Sequence, residues 1–313
     1  MPSNQTKRLA QGAMMIALFA VLIAIAYYVP IISLFATFLA PLPLAWYSAS
    51  YDRKSSIFVA IIGCVITLFF GGLLIVPFAL IFASIGVVMG DALRLKRSKI
   101  YLFMSSSLAV LITFALQYLV SLKLFEVDFI RDSFKMLRES YDRSIELSIN
   151  MTGKSPISEE MLNNIFTTME LSIPACITIA TFFYAYIIIS INLPILKRLG
   201  IEVPKFNAFK NLRMPRAILW YYLIVLSINL FVRPEMGTAL HVVCLNLSLI
   251  LWLLLTIQGI SFIHYVIDAF GMPKIVKILA TVMAIPLYSF FVLLGILDLG
   301  FKIRSLVKGK IQK

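Results

Sequence analysis

The 313-residue chain reads as an all-α, polytopic helical membrane protein, and three observations carry that reading. Hydrophobic residues make up 61% of it and charged residues only 14%. With a mean hydropathy of +0.95, it lacks the polar surface that a soluble domain of this size needs to stay dissolved. Second, the apolar residues fall in long unbroken runs. A helix needs roughly 20 apolar residues to cross hydrocarbon, and these runs are too long for the alternating strands of a membrane barrel. Third, the charges cluster between the runs. A net charge of +13 would suit nucleic acid, but Lys and Arg sit in short inter-helix loops and at the tail, where the positive-inside rule puts them. The expected partner is therefore the lipid bilayer and not nucleic acid. We expect about 8–10 transmembrane helices in a cell membrane, with the N-terminus and basic loops in the cytoplasm.

Lys7 and Arg8 precede an apolar run from Leu9 to Val29. It is long for a signal-peptide core and has no small-x-small cleavage site after it, so it reads as a retained first helix, Leu9 to Tyr28, stopped at Pro30. A second helix is expected over Ile31 to Ser50, bent in its middle by Pro41 and Pro43. Asp52-Arg53-Lys54 returns the chain to the cytoplasm. Ser56 to Gly90 is interrupted by Gly71-Gly72 and Pro77, which predicts two short helices joined by a tight outer turn. Arg94, Lys96, Arg97 and Lys99 mark a cytoplasmic loop, and the fifth helix is Ile100 to Leu122.

Lys123 to Leu171 differs in kind, with six basic and nine acidic residues. Ile130, Phe134, Leu137, Tyr141, Ile145 and Ser148 recur at steps of three and four, the pattern of an amphipathic helix. Thr152-Gly153-Lys154-Ser155-Pro156 is a break. Ser158, followed by Glu159 and Glu160, is a good N-cap for a second helix carrying Leu162, Ile165 and Met169. We expect an extracytoplasmic helical hairpin over 123–171.

A sixth helix, Ile173 to Leu193, leads into a loop with Lys197, Arg198, Lys205, Lys210, Arg213 and Arg216 against one acid, Glu202. This loop divides the chain into a six-helix membrane part, 1–195, and a C-terminal part, 196–313. The later helices are Ala217 to Val232, one beginning near Thr238, and a last apolar run from Ile275 to Leu297. Nine spans from a cytoplasmic start would leave the tail outside, yet it carries Lys302, Arg304, Lys308, Lys310 and Lys313 with no acid after Asp298. Leu240 to Phe270 is long for one helix and contains Gly259. A bend or split there would return the tail to the cytoplasm.

Two sets of residues are candidates for function. Ala13, Ala17, Ala20 and Ala24 form one stripe on the first helix, and small residues let a second helix approach closely in lipid. The stripe serves either a partner or packing within the chain. The second set is Gln258, Ser261, Tyr265 and Asp268 on one helical face, with His264 to one side. Polar groups in a span are costly, so they mark a ligand surface or polar pathway. The plainer account is an inter-helix hydrogen bond, with Asp268 and Tyr265 reaching the interface near Lys274. Asp298 and Arg304 flank the last helix end as an interfacial ion pair or by snorkelling. Gln117, Asn229, Arg233 and Asn246 read as structural glue, and Asp91 pairs with the basic loop beside it.

Cys64, Cys176 and Cys244 are scattered through apolar runs and read as small packing hydrophobes. His241 and His264 lack metal-ligand spacing, so no metal site and no cofactor is expected. No phosphate-binding Gly-x-x-x-x-Gly-Lys-[Ser/Thr], His-Glu-x-x-His or Gly-x-Ser-x-Gly motif occurs, and we expect no enzyme activity.

The stretch Lys7-Arg8-Leu9-Ala10-Gln11-Gly12-Ala13-Met14-Met15-Ile16-Ala17-Leu18 resembles the first helix of YybS-type membrane proteins, an uncharacterised bacterial family. The stretch from Gln258-Gly259 to His264 and the terminal Gly295-Ile296-Leu297-Asp298 are similar to that family too. The first six helices also resemble the substrate-binding subunits of energy-coupling-factor vitamin transporters. Those have six helices, a cytoplasmic start and an Ala-x-x-x-Ala helix that docks a membrane coupling protein. The resemblance implies that Ala13 and Ala17 match this motif, and that a partner supplies the ATPases this chain lacks. The hairpin and the C-terminal helices depart from the six-helix pattern. The expected function is a solute-binding transport subunit for a small neutral or apolar ligand, since the early spans carry almost no ionisable residues. The alternative is a non-transporting scaffold that recruits envelope, division or signalling proteins.

Overall fold

The computed structural model describes residues 4–155, 157–204, 208–301 and 303–304. Lys205, Pro156 and the tail residues Lys302, Lys308, Lys310 and Lys313 lie outside the described residues. Among the described residues the regular structure is helical throughout: α1 Asn4–Tyr28, α2 Ser33–Leu39, α3 Leu42–Ser50, α4 Arg53–Gly71, α5 Val76–Arg94, α6 Lys99–Leu124, α7 Phe129–Thr152, α8 Glu159–Leu171, α9 Ile173–Arg198, α10 Ala217–Ser227, α11 Ala239–Ala269, α12 Lys274–Met283 and α13 Tyr288–Phe301. Five segments are long and apolar enough to cross a membrane, namely Gln5–Tyr28, Arg53–Arg94, Lys99–Leu124, Ile173–Arg198 and Ala239–Ala269. The second of these breaks at Gly72, whose φ of 62° suits glycine, into the two 19-residue helices α4 and α5. This is the Gly-Gly break expected from the sequence.

The chain folds as two compact units. The first comprises Met1–Tyr141 and Ile177–Lys205. Its core joins α1 (Phe19, Ile23), α3 (Leu44, Tyr47), α4 (Val59, Cys64) and α5 (Ala79, Phe82). The bend expected near Pro41 and Pro43 is a full break between α2 and α3. Asn192 of α9 donates to the Phe38 carbonyl at this break, 2.8 Å away, which satisfies a backbone group that lipid could not. Helices α3 and α5 nearly touch because Gly86 and Gly90 lack side chains: a Cβ at Gly90 would collide with the Ala45 carbonyl. At the basic end, Asp91 bridges Arg53 and Arg94. Asp52 caps α4, and the N–H and hydroxyl of Ser55 hold its carboxyl below the usual range.

The second unit comprises Asp142–Cys176 and Phe206–Lys313. Ser158 caps α8 as expected, accepting from the Met161 N–H at 3.3 Å. Leu162 and Phe166 are buried on α8, whereas α7 buries no residue. Asn246 of α11 accepts from the Ala175 N–H at 2.7 Å and donates to the Leu171 carbonyl at 2.8 Å. It thereby fastens the junction of α8 and α9.

Two expectations for this unit are corrected. Leu240 to Phe270 neither bends nor splits, because α11 runs unbroken for 31 residues, about 46 Å. The break falls instead in the run from Ile275 to Leu297. There α12 and α13 meet at 112°, around Pro286, whose missing N–H cannot continue a helix. Lys277 of α12 pairs with Asp268, and His264 meets the Thr281 hydroxyl at 2.8 Å. The Tyr288 ring then lies 6.3 Å from Trp252, about 24 Å along α11 from Asp268. From there α13 returns until Arg304 donates to Ser261 at 3.2 Å. The pair enters and leaves at the same end of α11.

Candidate functional site

Each sequence-derived candidate has a definite place in one of the two units. On α1, Ala20 is buried at 2% exposure within the first unit and Ala24 is half-buried, while Ala13 and Ala17 are exposed beside Met14, Leu18 and Val21. One stripe therefore does two things. Its Ala20–Ala24 half packs internally, and its Ala13–Ala17 half presents a smooth surface.

The polar set on α11 converges on the C-terminal end of α13 and on the loop before α10. Gln258 and Ser261 are fully buried. The Gln258 amide donates to Asp298 Oδ2 at 2.6 Å and accepts from the Met214 N–H at 3.0 Å. The Ser261 hydroxyl lies 2.9 Å from the Phe209 carbonyl and 3.1 Å from that of Leu212. Arg304 forms an ion pair with Asp298 at 2.7 Å, the side chains being 2% and 3% exposed. Snorkelling is thereby corrected: the Asp298 and Arg304 side chains turn inward, because Gln258, Ser261 and the Lys210 carbonyl, 2.7 Å from Arg304, replace the water they lose. Tyr265 donates to the Arg304 carbonyl at 3.3 Å. Asp268 is held by Lys210 and Lys277, not by Lys274.

This cluster is self-contained. Its donors and acceptors are spent on one another and on backbone groups, which locks α11, α13 and the loop at 209–214 together. Close approach is possible because Gly259 faces the Phe291 carbonyl and Gly295 faces that of Leu255. The Asp298–Arg304 ion pair was one of the two accounts the sequence offered, whereas Lys210 was visible only as a member of a basic run. Nothing there showed that both cations would meet one helix face.

A more spacious cavity lies elsewhere, in the first unit. A groove of about 960 Å³ runs over α5 between α4 and α6, large for a ligand site. No charged residue lines it. Its floor includes Cys64 and Ala83, both buried, and its rim includes Leu116 and Leu80, both exposed. Of the polar side chains expected to be structural glue, Gln117 lies in this groove and donates to the Pro77 carbonyl at 2.9 Å. A smaller cavity of about 150 Å³ in the second unit is lined by Asn229, His241, Ser248 and Trp252, where α10 ends in a π turn, Ile228–Val232. Cys64 and Cys244 are buried and Cys176 is exposed; all three are free thiols.

A chain with several helices long and apolar enough to cross a membrane, and with large apolar side chains exposed along them, is a multi-pass integral membrane protein. The chain belongs to the family of predicted membrane proteins described as DUF2232, whose model matches residues 17–299. It is 26% identical over 311 residues to the uncharacterized protein YybS of Bacillus subtilis (strain 168), covering 97% of this chain and all of that protein. No solved structure matches it.

Proposed function

We propose that this chain is a solute-binding membrane subunit of transporter type, which holds a small neutral or apolar molecule in the groove between α4 and α6. The groove is the observation that carries the reading: it is spacious, open on one side and without a charge along its walls. An anion would lose its hydration there without compensation. In this reading residues 1–195 form the ligand-binding part and 196–313 a membrane-embedded extension. The N-terminus and basic loops face the cytoplasm. A separate membrane coupling protein with ATPases supplies energy and docks on the exposed Ala13–Ala17 half of α1.

Purification from native membranes, followed by mass spectrometry, tests both halves. Leu116→Trp fills the groove rim and should abolish co-purification of the small molecule while leaving any protein partner bound. Ala13→Leu with Ala17→Leu should do the reverse. If neither variant changes what co-purifies, the transport-subunit reading fails.

One observation favours the scaffold alternative. Helix α7 spans 24 residues without burying any, and exposes Met136 and Met151. Deleting residues 129–170 should abolish recruitment of envelope or division proteins in that case, with the remaining helices still inserted.

A further inference from the structure

The chemistry of the groove narrows its occupant, and this step rests on the solute-binding reading above. We propose that the groove takes one hydrocarbon chain of a bilayer phospholipid, entering sideways between α4 and α6, rather than a compact water-soluble compound. Its four polar side chains, Ser84, Thr113, Gln117 and Ser121, all donate inward to backbone carbonyls. Ser84 bonds Ile81 at 2.9 Å, Thr113 bonds Ala109 at 2.7 Å, Gln117 bonds Pro77 at 2.9 Å and Ser121 bonds Val127 at 2.9 Å. Every hydroxyl hydrogen is thus spent. The rest of the lining is aliphatic or aromatic apart from the Cys64 thiol. A heterocycle with several donors and acceptors would meet only the Gln117 amide and the hydroxyl oxygens, and each polar group left unmatched costs about 1–3 kcal/mol. A methylene chain has none to strand.

Dimensions and access agree. The α6 wall of the groove extends from Thr113 to Leu124, about 16 Å of helix. That is close to half of a hydrocarbon core of roughly 30 Å, the depth of one leaflet. Helices α4 and α6 each pack on α5, and the space between them stays open along rim residues Ile61, Leu74, Leu116 and Val120, which are all exposed. In a bilayer the medium at that opening is acyl chain, so a lipid enters without crossing water.

The test uses the purified full chain in phosphatidylcholine vesicles doped with a phospholipid whose acyl chain carries a photoreactive diazirine. After irradiation, labelled residues are mapped by peptide mass spectrometry. Bulk lipid reaches exposed positions such as Phe183 on α9, but not the groove floor, where Cys64 and Ala83 are only 8% and 5% exposed. A resident chain labels Cys64 and Ala83 as heavily as Phe183. Leu116→Trp, at an exposed rim position that tolerates bulk, should remove floor labelling and leave Phe183 labelling unchanged. Labelling at Phe183 with none on the floor overturns the acyl-chain assignment. If Leu116→Trp still displaces a co-purifying soluble compound in that case, the solute-binding reading survives alone. If nothing is displaced either, both fall.

Discussion

Replacing Asp298 with alanine is the most demanding test of how the second unit holds together. The change leaves the Arg304 guanidinium buried at 2% exposure with its counter-ion gone, and strands the Gln258 amide N–H that lay 2.6 Å from Asp298 Oδ2. Breaking one side of a buried pair costs about 3–5 kcal/mol, mostly the penalty of the uncompensated charge. At roughly 2–4 °C per kcal/mol, the thermal midpoint in detergent should fall by about 10 °C. A fluorescence-detected melt of the purified full chain reads this directly. The control is Glu202→Ala, which removes the partner of Lys96 in a pair exposed at 74% and 78%. Solvent screens such a pair, so its melt should overlay that of the parent. The double variant Asp298→Leu with Arg304→Met removes both charges together. It should recover most of the loss, keeping a deficit of about 1–3 kcal/mol for the stranded Gln258 donor. If Asp298→Ala melts like Glu202→Ala, or the double variant is worse than either single change, the ion pair is not what fastens α13 to α11.

Two further predictions follow from the same unit. Gly259→Ala and Gly295→Ala each drive a methyl group into a facing carbonyl. Both should sharply reduce the monodisperse, folded fraction on size-exclusion chromatography, whereas Gly300→Ala, whose added carbon would sit 3.7 Å from Leu219, should not. Single cysteines in a background lacking Cys64, Cys176 and Cys244 test the returning pair: thiols at Asn211 and Lys274 and one placed just after Arg304 should react with an impermeant reagent from the same side, opposite to one at Glu235. Labelling beyond Arg304 from the Glu235 side would mean that α12 and α13 together cross the membrane.

Much of this architecture could be read from the sequence because hydrocarbon punishes exposed backbone, so apolar run length and helix tend to coincide. The Gly71-Gly72 break, the Ser158 cap and the start of α11 after Thr238 were legible for local reasons: backbone freedom at glycine and side-chain oxygens for unpaired N–H groups. The errors were all errors of depth. An unbroken α11 and a broken last run have nearly the same composition, and Gly259 invited a bend where its missing side chain in fact admits the Phe291 backbone. Pro286 was the overlooked signal, since proline interrupts a helix more forcefully than glycine does. Within the second unit, α12 and α13 turn back near Trp252, and the pair enters and leaves at one end of α11. Arg304 lies beside the Lys210 carbonyl, so the end of α13 meets the loop before α10. The α11 polar set was legible as residues but not as a site. Its meaning depends on Asp298 and Arg304, some forty residues away, and only their burial separates a lock from an open pathway. The groove left no motif at all, for an apolar binding surface in a membrane protein is written in the same residues as the lipid-facing wall beside it.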